Sequence, residues 1–518
     1  MKNIFRTYRS WVYVLSIIMV LASCKSLQKK QVSEPHSKNE PIEFVIVQLN
    51  DVYEIAPLSG GKYGGMARVA HIRDSIKAQE PNTFLMMAGD FLNPSLLGTL
   101  KYQGERVKGK HMIEVMNAMD FDLATFGNHE FDLSEDEFQQ RLNEATFPWT
   151  TANVYQVTED GNRSFSVYRD NDTLRIPETF QLPIIRGDSI ALKVGLFSVT
   201  IDSNPVDYVY YSDYLLESKT AVQTLEAQGI DLILGLTHLD VDQDIQLSET
   251  LTTVPFIMGG HEHNSMLVQT DFATIAKADA NAKTIYVHRF SYDPQTKEIQ
   301  VNSTLVPVDD TVPSQPQTQA VVEKWNSILE KQIKEVIPNP YEEVYQTDTP
   351  LDGTDVAGRS LQTNLGNLIT AGMSYAYDDS VDAAFVNGGS FRLDDVLTGS
   401  ITSIDIFRVL PFGGSVNKVK LKGSLLIDVL NYGVEQRGTG AYLQRHLLTN
   451  KEDIWSINGE PILPNKTYTI ATSDFLLKGY DIPFLTKEHP GVVEIYEPNE
   501  NEIAFDIRKA VILYLKNL

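Results

Sequence analysis

The feature that most constrains the fold is a series of six short apolar runs, five of which stop at a cluster of polar residues. The runs are rich in residues that suit buried strands, and stretches of helical periodicity separate them. They read EFVIVQL, TFLMMAG, DLATFG, VGLFSVT, DLILGLT and VPFIMGG. Alternating strands and helices predict an α/β core. Polar residues that follow its strands should meet at the carboxyl edge of a sheet, where such folds bind ligands.

The polar residues after these strands are of the types that bind metal ions. They are Asp51, Asp90, Asn128 with His129, His238, and His261 with His263. Taken singly, a Gly-Asp pair is an ordinary turn and a buried histidine an ordinary core residue, but here five such groups follow strands in order. Oxygen and imidazole ligands without thiolate favour Zn, Mn or Fe. A bridging aspartate would hold two cations about 3.5–4 Å apart, as enzymes do for displacement at phosphorus.

Length and charge limit the domain organisation and the partners. A chain of 518 residues is too long for one hydrophobic core and predicts two or three domains. Its net charge is −24, and an acidic surface repels phosphate backbones, so we expect no binding to nucleic-acid polymers. A small anionic substrate therefore needs a local positive site, supplied by a metal ion or by a placed arginine.

The N-terminus predicts export and lipid anchoring. Residues 1–24 join a basic start to a short apolar stretch and end in Leu-Ala-Ser-Cys, which resembles a bacterial lipobox with Cys24 as the lipidated residue. The alternative is a chance thiol after an ordinary signal peptide. Cys24 is the only cysteine, so no intramolecular disulfide can form. Residues 25–42 predict a flexible tether, which places the protein in the cell envelope, on its periplasmic or cell-surface side, with the membrane contacted through lipid only.

A second folded unit is predicted beyond a boundary at residue 306. Residues 306–338 combine a stretch rich in Pro, Gln and Asp with apolar residues at helical spacing, which predict a connecting helix over 317–337. Residues 339–518 carry strand-like runs of their own, AAFVNGG, VNKVKLKG and TYTIATSDF. The sequence therefore predicts one domain over residues 43–305, a helical connection, and a second domain.

The motif order resembles that of the calcineurin-like metallophosphoesterases, followed by the C-terminal domain of 5′-nucleotidases. The first resemblance rests on Asp51, Gly89-Asp90, Gly127-Asn128-His129-Glu130, His238 and Gly260-His261-Glu262-His263. The second rests on GRSLQTNLGNLITAG, FVNGGSFR and LPFGGSVNKVKLKG. The implied fold class is α/β (α+β). It consists of a four-layer β-sandwich flanked by helices and a smaller α/β C-terminal domain that binds substrate.

This resemblance implies a role for each motif residue. Two divalent metal ions are expected, with Asp90 bridging them, Asp51 and His263 on the first ion, and Asn128, His238 and His261 on the second. His129 would stabilise charge on the phosphoryl or leaving oxygen, and Asp132 would orient its ring. The nucleophile would be water activated by the two ions.

The resemblance places substrate selection in the second domain. Two aromatic rings would stack on the nucleobase, a carboxylate would take the ribose hydroxyls, and three polar side chains would surround the rest of the nucleotide. The matching residues are Phe412 and Phe475, Asp481, and Arg359, Asn387 and Arg392. Otherwise, a phenylalanine after proline is a core residue and an isolated arginine a surface one. Since the two domains supply different parts of the site, we expect domain closure.

Tyr53 departs from the family pattern, in which a histidine usually stands two residues after the position of Asp51. On one strand, positions 51 and 53 share a face, so Tyr53 would point at the first metal ion. Three roles stay open for it: a phenolate ligand, a hydrogen bond beside a weaker or water-completed site, and packing. The departure bears on the first ion rather than on the class of reaction.

The predicted function is that of an exported nucleotide phosphohydrolase of the 5′-nucleotidase type, which yields nucleoside and phosphate. Hydrolysis of 2′,3′-cyclic nucleotides or nucleotide sugars at the same site is the alternative within this class, with thiosulfate-ester hydrolysis a more distant one. A non-catalytic nucleotide-binding lipoprotein with a decayed metal site is the alternative from another class. The sequence predicts no particular oligomeric state.

Overall fold

A computed structural model describes residues 40–169 and 172–518, and Cys24, the predicted signal peptide and nearly all of the predicted tether lie outside these residues. The main compact unit comprises residues 42–291 and 299–518. The described part of the other unit comprises residues 40–41 and 292–298, and it contains a turn in which Asp293 N donates to Glu298 O at 2.9 Å. Within the described residues, no helix combines the length and the apolar character needed to cross a bilayer.

Two six-stranded sheets form the N-terminal half of the main unit. The strands of the first sheet are β1 (Ile42–Leu49), β2 (Thr83–Met87), β5 (Leu123–Thr125), β6 (Trp149–Thr150), β18 (Thr284–Tyr292) and β19 (Ile299–Pro307). Their order is β19-β18-β1-β2-β5-β6, and β1, β2, β5 and β6 run parallel. Parallel strands bring the segments after β1, β2 and β5 to one edge of this sheet.

The second sheet repeats this arrangement. Its strands are β11 (Thr179–Arg186), β12 (Ser189–Phe197), β14 (Leu232–Thr237), β15 (Phe256–Gly259), β16 (Met266–Gln269) and β17 (Thr274–Lys277). The order is β11-β12-β14-β15-β17-β16, with β12, β14, β15 and β17 parallel. The segments after β14 and β15 therefore leave this sheet at a common edge as well.

The two sheets pack face to face. Phe256 of β15 lies against Phe290 of β18 with ring centroids 5.4 Å apart. The buried amide of Gln48 in β1 donates across the interface to Gly259 O and Ala276 O, both at 2.9 Å. Helices cover the outer faces: α1 (Met66–Lys77) lies on β2, α5 (Tyr214–Ala227) on β12 and α6 (Val241–Thr250) on β15. The predicted four-layer sandwich is confirmed.

The remaining elements of this half are short or lie at its periphery. The helices are α2 (Leu96–Thr99), α3 (Lys110–Ala118) and α4 (Glu135–Glu144), with 3-10 helices at Ser59–Gly61 and His129–Asp132. The strands are β3 (Lys101–Tyr102), β4 (Glu105–Arg106), β7 (Val154–Thr158), β8 (Gly161–Arg163), β9 (Ser166–Arg169), β10 (Asp172–Arg175) and β13 (Val209–Tyr211).

The connecting helix α7 spans Pro316–Ile333, so it ends four residues before the predicted end at 337. Pro338 disfavours helical backbone at the residue before it, and the chain passes through turns instead. The helix buries Val322, Trp325, Leu329 and Ile333 and packs on α1 and α3. Trp325 is fully buried, and its Nε1 donates to Glu114 Oε2 at 3.0 Å, so the helix is fixed on the N-terminal half.

The C-terminal half is built on a five-stranded mixed sheet. Its strands are β21 (Ala383–Asn387), β23 (Val416–Lys422), β24 (Leu443–His446), β28 (Thr467–Ser473) and β29 (Val492–Tyr496), in the order β24-β21-β28-β23-β29. Helices α9 (Asn364–Tyr375) and α12 (Ile507–Leu515) cover one face and α11 (Gly423–Glu435) the other. Alternate residues of β21 point into these two cores. This layering matches the predicted smaller α/β domain.

Shorter elements surround that sheet. They are the strands β20 (Glu343–Asp352), β22 (Val396–Thr402), β25 (Leu448–Lys451), β26 (Ile454–Ile457) and β27 (Glu460–Pro461), the helices α8 (Asp355–Ser360) and α10 (Ser403–Val409), and 3-10 helices at Gly388–Ser390 and Ile503–Phe505. The segment between β21 and β22 faces the N-terminal half and takes part in the candidate site.

Candidate active site

Tight turns follow the strands that carry the predicted metal ligands. β1 ends at Leu49, so the prediction that Asp51 and Tyr53 share a strand face is wrong. Asp51 has a φ of 53°, in the left-handed region, which turns the chain away from the strand direction. Asp90 and His261 also adopt left-handed backbone, with φ of 57° and 84°. These turns set the carboxylates of Asp51 and Asp90, both essentially buried, at the carboxyl edge.

The four residues predicted for the second ion come together within the N-terminal half. His238 Nε2 lies 3.2 Å from Asp90 Oδ2 and 3.2 Å from Asn128 Oδ1. One ligand atom each from Asp90, His238 and His261 lies within 4.8 Å of the others. His238 Nδ1 donates to Ala88 O at 2.8 Å, so in the neutral ring Nε2 carries the lone pair and faces the carboxylate and the amide.

The residues predicted for the first ion are also adjacent, but one of them is held by a hydrogen bond to the C-terminal half. The buried Asp51 Oδ1 accepts no hydrogen bond, and His263 Nε2 lies 3.5 Å from it. Asp51 Oδ2 accepts from His261 N at 2.9 Å. His263 Nδ1 donates to the main-chain oxygen of Asp394 at 2.7 Å, and Asp394 belongs to the C-terminal half. This half-site therefore includes a contact between the two halves of the protein.

Tyr53 reaches the same place although it does not lie on the strand. Its hydroxyl donates to Asp90 Oδ2 at 3.3 Å and lies 3.2 Å from His263 Nε2. Burial, with the charges of Asp90 and Asp51, raises the pKa of the Tyr53 phenol well above its usual value. The side chain thus makes polar contacts with two predicted ligands, and these charges favour the neutral phenol.

Buried negative charge raises the pKa of two predicted ligands, His238 and His263, whereas burial lowers that of His261. Burial opposes the charged form of His238, but the Asp90 carboxylate outweighs it and raises the pKa of His238 to about 9. Burial likewise opposes charge on His263, and its contacts with Asp51 and Asp394 raise the pKa of His263 to about 10. The carboxylates therefore favour protonated imidazoles at these positions. The same negative charge would stabilise a bound divalent cation.

The donor set fits divalent metal ions. It consists of carboxylate oxygens, one amide oxygen and imidazole nitrogens, and the unpartnered Asp51 Oδ1 is a free ligand atom. Two glycines allow the ligand loops to approach one another closely. A Cβ on Gly127 would lie 2.0 Å from Asp90 Oδ1, and one on Gly260 would lie 2.2 Å from Ala88 O. The geometry brings all six predicted ligands together, and their individual roles stay predictions.

His129 and Asp132 form the predicted pair. The 3-10 helix that contains both sets His129 Nδ1 at 2.9 Å from Asp132 Oδ2. Burial opposes the charged His129 ring, but Asp90 and Asp132 outweigh it and raise the pKa of His129 to about 9. Asn93 and Asn204 also donate to the Asp132 carboxylate, at 2.6 and 2.7 Å. His129 is thus a fixed, protonated ring with its Nε2 free for a substrate oxygen.

Two buried charged residues that support the site were not identified from the sequence. Glu130 is fully buried and accepts main-chain hydrogen bonds from Asp90 N, Phe91 N and Leu92 N at 2.9, 2.7 and 3.1 Å. It also accepts from Gly127 N. Glu130 therefore joins the loop after β2 to the loop after β5.

Lys277, at the end of β17, joins the other two ligand loops. Its ammonium donates to Leu239 O at 2.6 Å and to Gly260 O at 2.9 Å, next to His238 and His261 respectively. It also contacts the carboxylates of Asp244 and Glu262. The sequence signal that could have found it is a lysine inside the apolar run TIAKADA.

All six residues predicted to bind nucleotide line one cavity of about 470 Å³ in the C-terminal half. They are Arg359, Asn387, Arg392, Phe412, Phe475 and Asp481. The rings of Phe412 and Phe475 are 62% and 37% exposed, unlike core residues. Asn387 Nδ2 donates to Asp481 Oδ2 at 2.7 Å, which holds that carboxylate in the cavity. A pocket with exposed rings, arginines and a fixed carboxylate suits an aromatic, hydroxylated, anionic ligand.

The cavity is connected to the metal-ligand cluster. Arg392, which lines the cavity, donates from Nη2 to Asp132 Oδ2 at 3.3 Å. Burial raises the pKa of Asp132, but His129 and Arg392 outweigh it, so the net shift is downward and the carboxylate stays charged. An anion held by Arg392 would therefore lie close to His129.

Comparison with known proteins agrees with this geometry. Residues 44–265 match the calcineurin-like phosphoesterase family, and residues 343–487 match the C-terminal domain of 5′-nucleotidase. Together these regions span more than half of the chain. The chain belongs to the 5′-nucleotidase family. It is therefore a phosphoric ester hydrolase, of a family that hydrolyses nucleotide phosphoesters and uses divalent metal ions.

Individual members of the 5′-nucleotidase family show the extent of the likeness. The 5′-nucleotidase of Bos taurus is 24% identical over an alignment of 537 positions, which covers 92% of this chain and 90% of the bovine protein. A trifunctional nucleotide phosphoesterase of Bacillus subtilis is 26% identical over 79% of this chain, which spans only 30% of that protein. The crystal structure of a 5′-nucleotidase precursor from Thermus thermophilus has the same fold. Its TM-score is 0.65 at 22% identity, and the match covers 92% of this chain and 96% of that one.

Proposed function

We propose that the protein hydrolyses nucleoside 5′-monophosphates to nucleoside and phosphate with two divalent cations, as an exported, lipid-anchored enzyme. The observation that carries the proposal is the connection between cavity and ligand cluster. The six residues predicted for the nucleotide line one cavity, and Arg392 leads from it to the Asp132–His129 pair. A substrate whose base and ribose fill the cavity would present its phosphate beside the predicted metal ligands.

Asp51, Asp90, Asn128, His238, His261 and His263 would hold the cations. When bound, divalent cations neutralise charge on the phosphoryl oxygens and lower the pKa of water. Asp90 would bridge the two cations, and the contacts of its Oδ2 with His238 and with Tyr53 support this role. The metal could be Zn, Mn or Fe, because the donors are oxygens and imidazoles without thiolate.

His129 would act on the leaving oxygen. A new P–O bond forms to water, which releases one proton to solvent, as the bond from phosphorus to the ribose 5′-oxygen breaks and that oxygen gains a proton. Asp132 fixes the His129 ring through Nδ1, so Nε2 carries the proton toward the leaving oxygen. Arg392 and Arg359 would orient the phosphate through forked N–H donors.

The rival function is nucleotide binding without catalysis, and Tyr53 is the observation in its favour. A tyrosine in place of the family's usual histidine would weaken a first metal site. The intact His129–Asp132 pair and the buried carboxylates of Asp51 and Asp90 favour catalysis, because a binding protein needs neither.

The deciding experiment measures phosphate release from AMP with and without a chelator, and with Zn²⁺, Mn²⁺ or Fe²⁺ added back. We expect chelation to abolish the activity and His129→Ala to lower kcat by about 10²- to 10⁴-fold, because general acid catalysis contributes on that order. Nucleotide that binds without phosphate release under any of these ions would establish the rival function. A panel of 2′,3′-cyclic nucleotides and nucleotide sugars tests the alternative substrates.

The substrate pocket has its own test. Phe412→Ala and Phe475→Ala should each weaken binding of AMP by about 1–3 kcal/mol, since base stacking contributes on that order, while leaving hydrolysis of ribose 5-phosphate, which has no aromatic group, nearly unchanged. An equal loss for both substrates would argue against a stacking role.

The proposed anchoring rests on the sequence of residues 1–24. Cys24→Ser should abolish incorporation of labelled lipid and move the protein from the membrane to the soluble fraction of the cell envelope. Membrane retention of this variant would contradict a lipid anchor at Cys24.

A further inference from the structure

A short segment of the C-terminal half makes three contacts with three parts of the N-terminal half. We call residues 392–395 the latch. The contacts join Arg392 Nη2 to Asp132 Oδ2 at 3.3 Å, Asp394 O to His263 Nδ1 at 2.7 Å, and the Asp395 carboxylate to Lys283 Nζ at 2.6 and 2.7 Å. The latch therefore contacts the predicted proton donor's partner, a predicted metal ligand and a lysine outside the metal-ligand cluster.

Comparison of two histidines shows what the Asp394 contact does. His238 Nδ1 donates to Ala88 O, a main-chain oxygen of its own half, whereas His263 Nδ1 donates to Asp394 O of the other half. A hydrogen bond at Nδ1 fixes both the tautomer and the direction in which Nε2 faces the metal. The orientation of His263 thus depends on where the latch lies.

The ion pair between Lys283 and Asp395 sets the position of the latch. Lys283 contacts both carboxylate oxygens, and its side chain and that of Asp395 are 27% and 10% exposed. This pair joins Lys283 of the N-terminal half to Asp395 of the C-terminal half. Asp395 follows Asp394 directly, so this pair holds the Asp394 carbonyl over His263.

The other end of the latch leads to the cavity. Asp394 Oδ1 accepts from Asp355 N at 2.7 Å, at the start of α8. Arg359, on the same helix, pairs with Asp355 at 2.5 Å and lines the cavity. Arg392 of the latch lines the cavity too. A ligand that contacts the two arginines therefore contacts the elements that hold His263.

We propose that Lys283 and the latch are positioning elements that orient His263 across the domain boundary and thereby link first-site metal affinity to nucleotide binding. A ligand in the cavity that favours the contacts of the latch with the N-terminal half strengthens metal binding. The metal strengthens ligand binding by the same factor, because linkage is reciprocal. The inference deepens the proposed function, and its metal-binding test stands apart from catalysis.

The test compares Lys283→Met with Lys283→Arg and with Lys420→Met. Lys420 pairs at 2.6 Å with Glu494 of the neighbouring strand, and both side chains are exposed, so its substitution removes a lysine–carboxylate pair that crosses no boundary. Each full-length protein is equilibrated with buffered free Zn²⁺, and bound zinc is measured by elemental analysis with and without a non-hydrolysable phosphonate analogue of AMP.

We expect Lys283→Met to weaken the more weakly held zinc by about tenfold and to lower kcat more than it raises KM, since loss of an outer partner typically costs 10- to 100-fold. The analogue should tighten zinc binding in the unchanged protein and much less in Lys283→Met. Lys283→Arg should retain most of the zinc affinity and of its increase with the analogue. Lys420→Met should match the unchanged protein in both. Should Lys283→Met lower Tm, Asp395→Asn, which breaks the same ion pair from its other side, replaces it with the same expected result.

Equal zinc binding by Lys283→Met and the unchanged protein would overturn the inference, as would a change in KM alone. An unchanged protein that binds zinc and the analogue in a linked manner but releases no phosphate would remove the proposed function and leave the latch intact.

Discussion

The two predicted metal half-sites share Asp90 but differ in what holds them. Second-site ligands are supported by main-chain atoms and buried charges of one domain, as in the contact of His238 with Ala88 O. At the first site, the Tyr53 hydroxyl contacts Asp90 and His263, and His263 is held by Asp394 from the other half of the protein. The contacts described for the second half-site thus lie within the N-terminal half, whereas those of the first half-site come from both halves.

The largest effect is expected for Lys277→Met, which should disrupt the second half-site. Lys277 is fully buried, contacts Asp244 and Glu262, and joins the loops that carry His238 and His261. Removing one partner of a buried ion pair costs about 3–5 kcal/mol, so we expect that loss in the free energy of unfolding and loss of the tighter zinc. Urea unfolding and elemental analysis measure the two effects. Lys334→Met, which breaks an exposed pair on the connecting helix, is the matched control.

A smaller effect is expected for Glu130→Gln. One Glu130 oxygen accepts from Asp90 N and Gly127 N and the other from Phe91 N and Leu92 N, so the glutamine amide nitrogen would leave one of these two pairs of donors without an acceptor. An unsatisfied buried donor costs about 1–3 kcal/mol, so Tm should fall and tight zinc binding should weaken. A variant with normal stability would show that the second half-site does not depend on this carboxylate.

Tyr53→His should strengthen the weaker half-site. It restores the imidazole that is usual in the family and removes a phenol beside Asp90 and His263. We expect the weaker zinc affinity to rise about tenfold, within the range that metal-site substitutions produce. Isothermal titration with Zn²⁺ measures it. Unchanged affinity would show that the latch, rather than Tyr53, limits this half-site.

The smallest effect is expected for Tyr53→Phe, which removes only the hydroxyl. A hydrogen bond contributes about 0.5–1.5 kcal/mol, so zinc affinity and kcat should each change by less than about tenfold. A far larger loss of zinc affinity would identify the phenol as a metal ligand. The two half-sites would then be more alike in their number of side-chain ligands.

The fold and the membership of both site clusters could be predicted from the sequence because strand-end motifs are local. Each ligand loop follows its own apolar run, and parallel strands bring such loops to one edge. The six cavity residues were likewise predicted, through resemblance of short motifs.

The supporting contacts could not be predicted in this way, because they join residues far apart in the chain. Lys283 and Asp395 are 112 positions apart, and His263 and Asp394 are 131 apart, so no periodicity indicates either pair. The strand-face argument for Tyr53 failed for a different reason. It assumed an extended backbone at Asp51, where the chain turns with a positive φ.

That left-handed backbone also restricts how such a site can decay. Asp51, Asp90 and His261 occupy a region of φ that aspartate, asparagine and histidine enter far more readily than β-branched residues do, and that glycine enters freely. A lineage that lost its metal would be expected to drift toward asparagine or glycine at these positions, and valine or isoleucine would be disfavoured. A former metal site in a homologue could then be recognised by its left-handed backbone conformations, even after its carboxylate and imidazole side chains had been replaced.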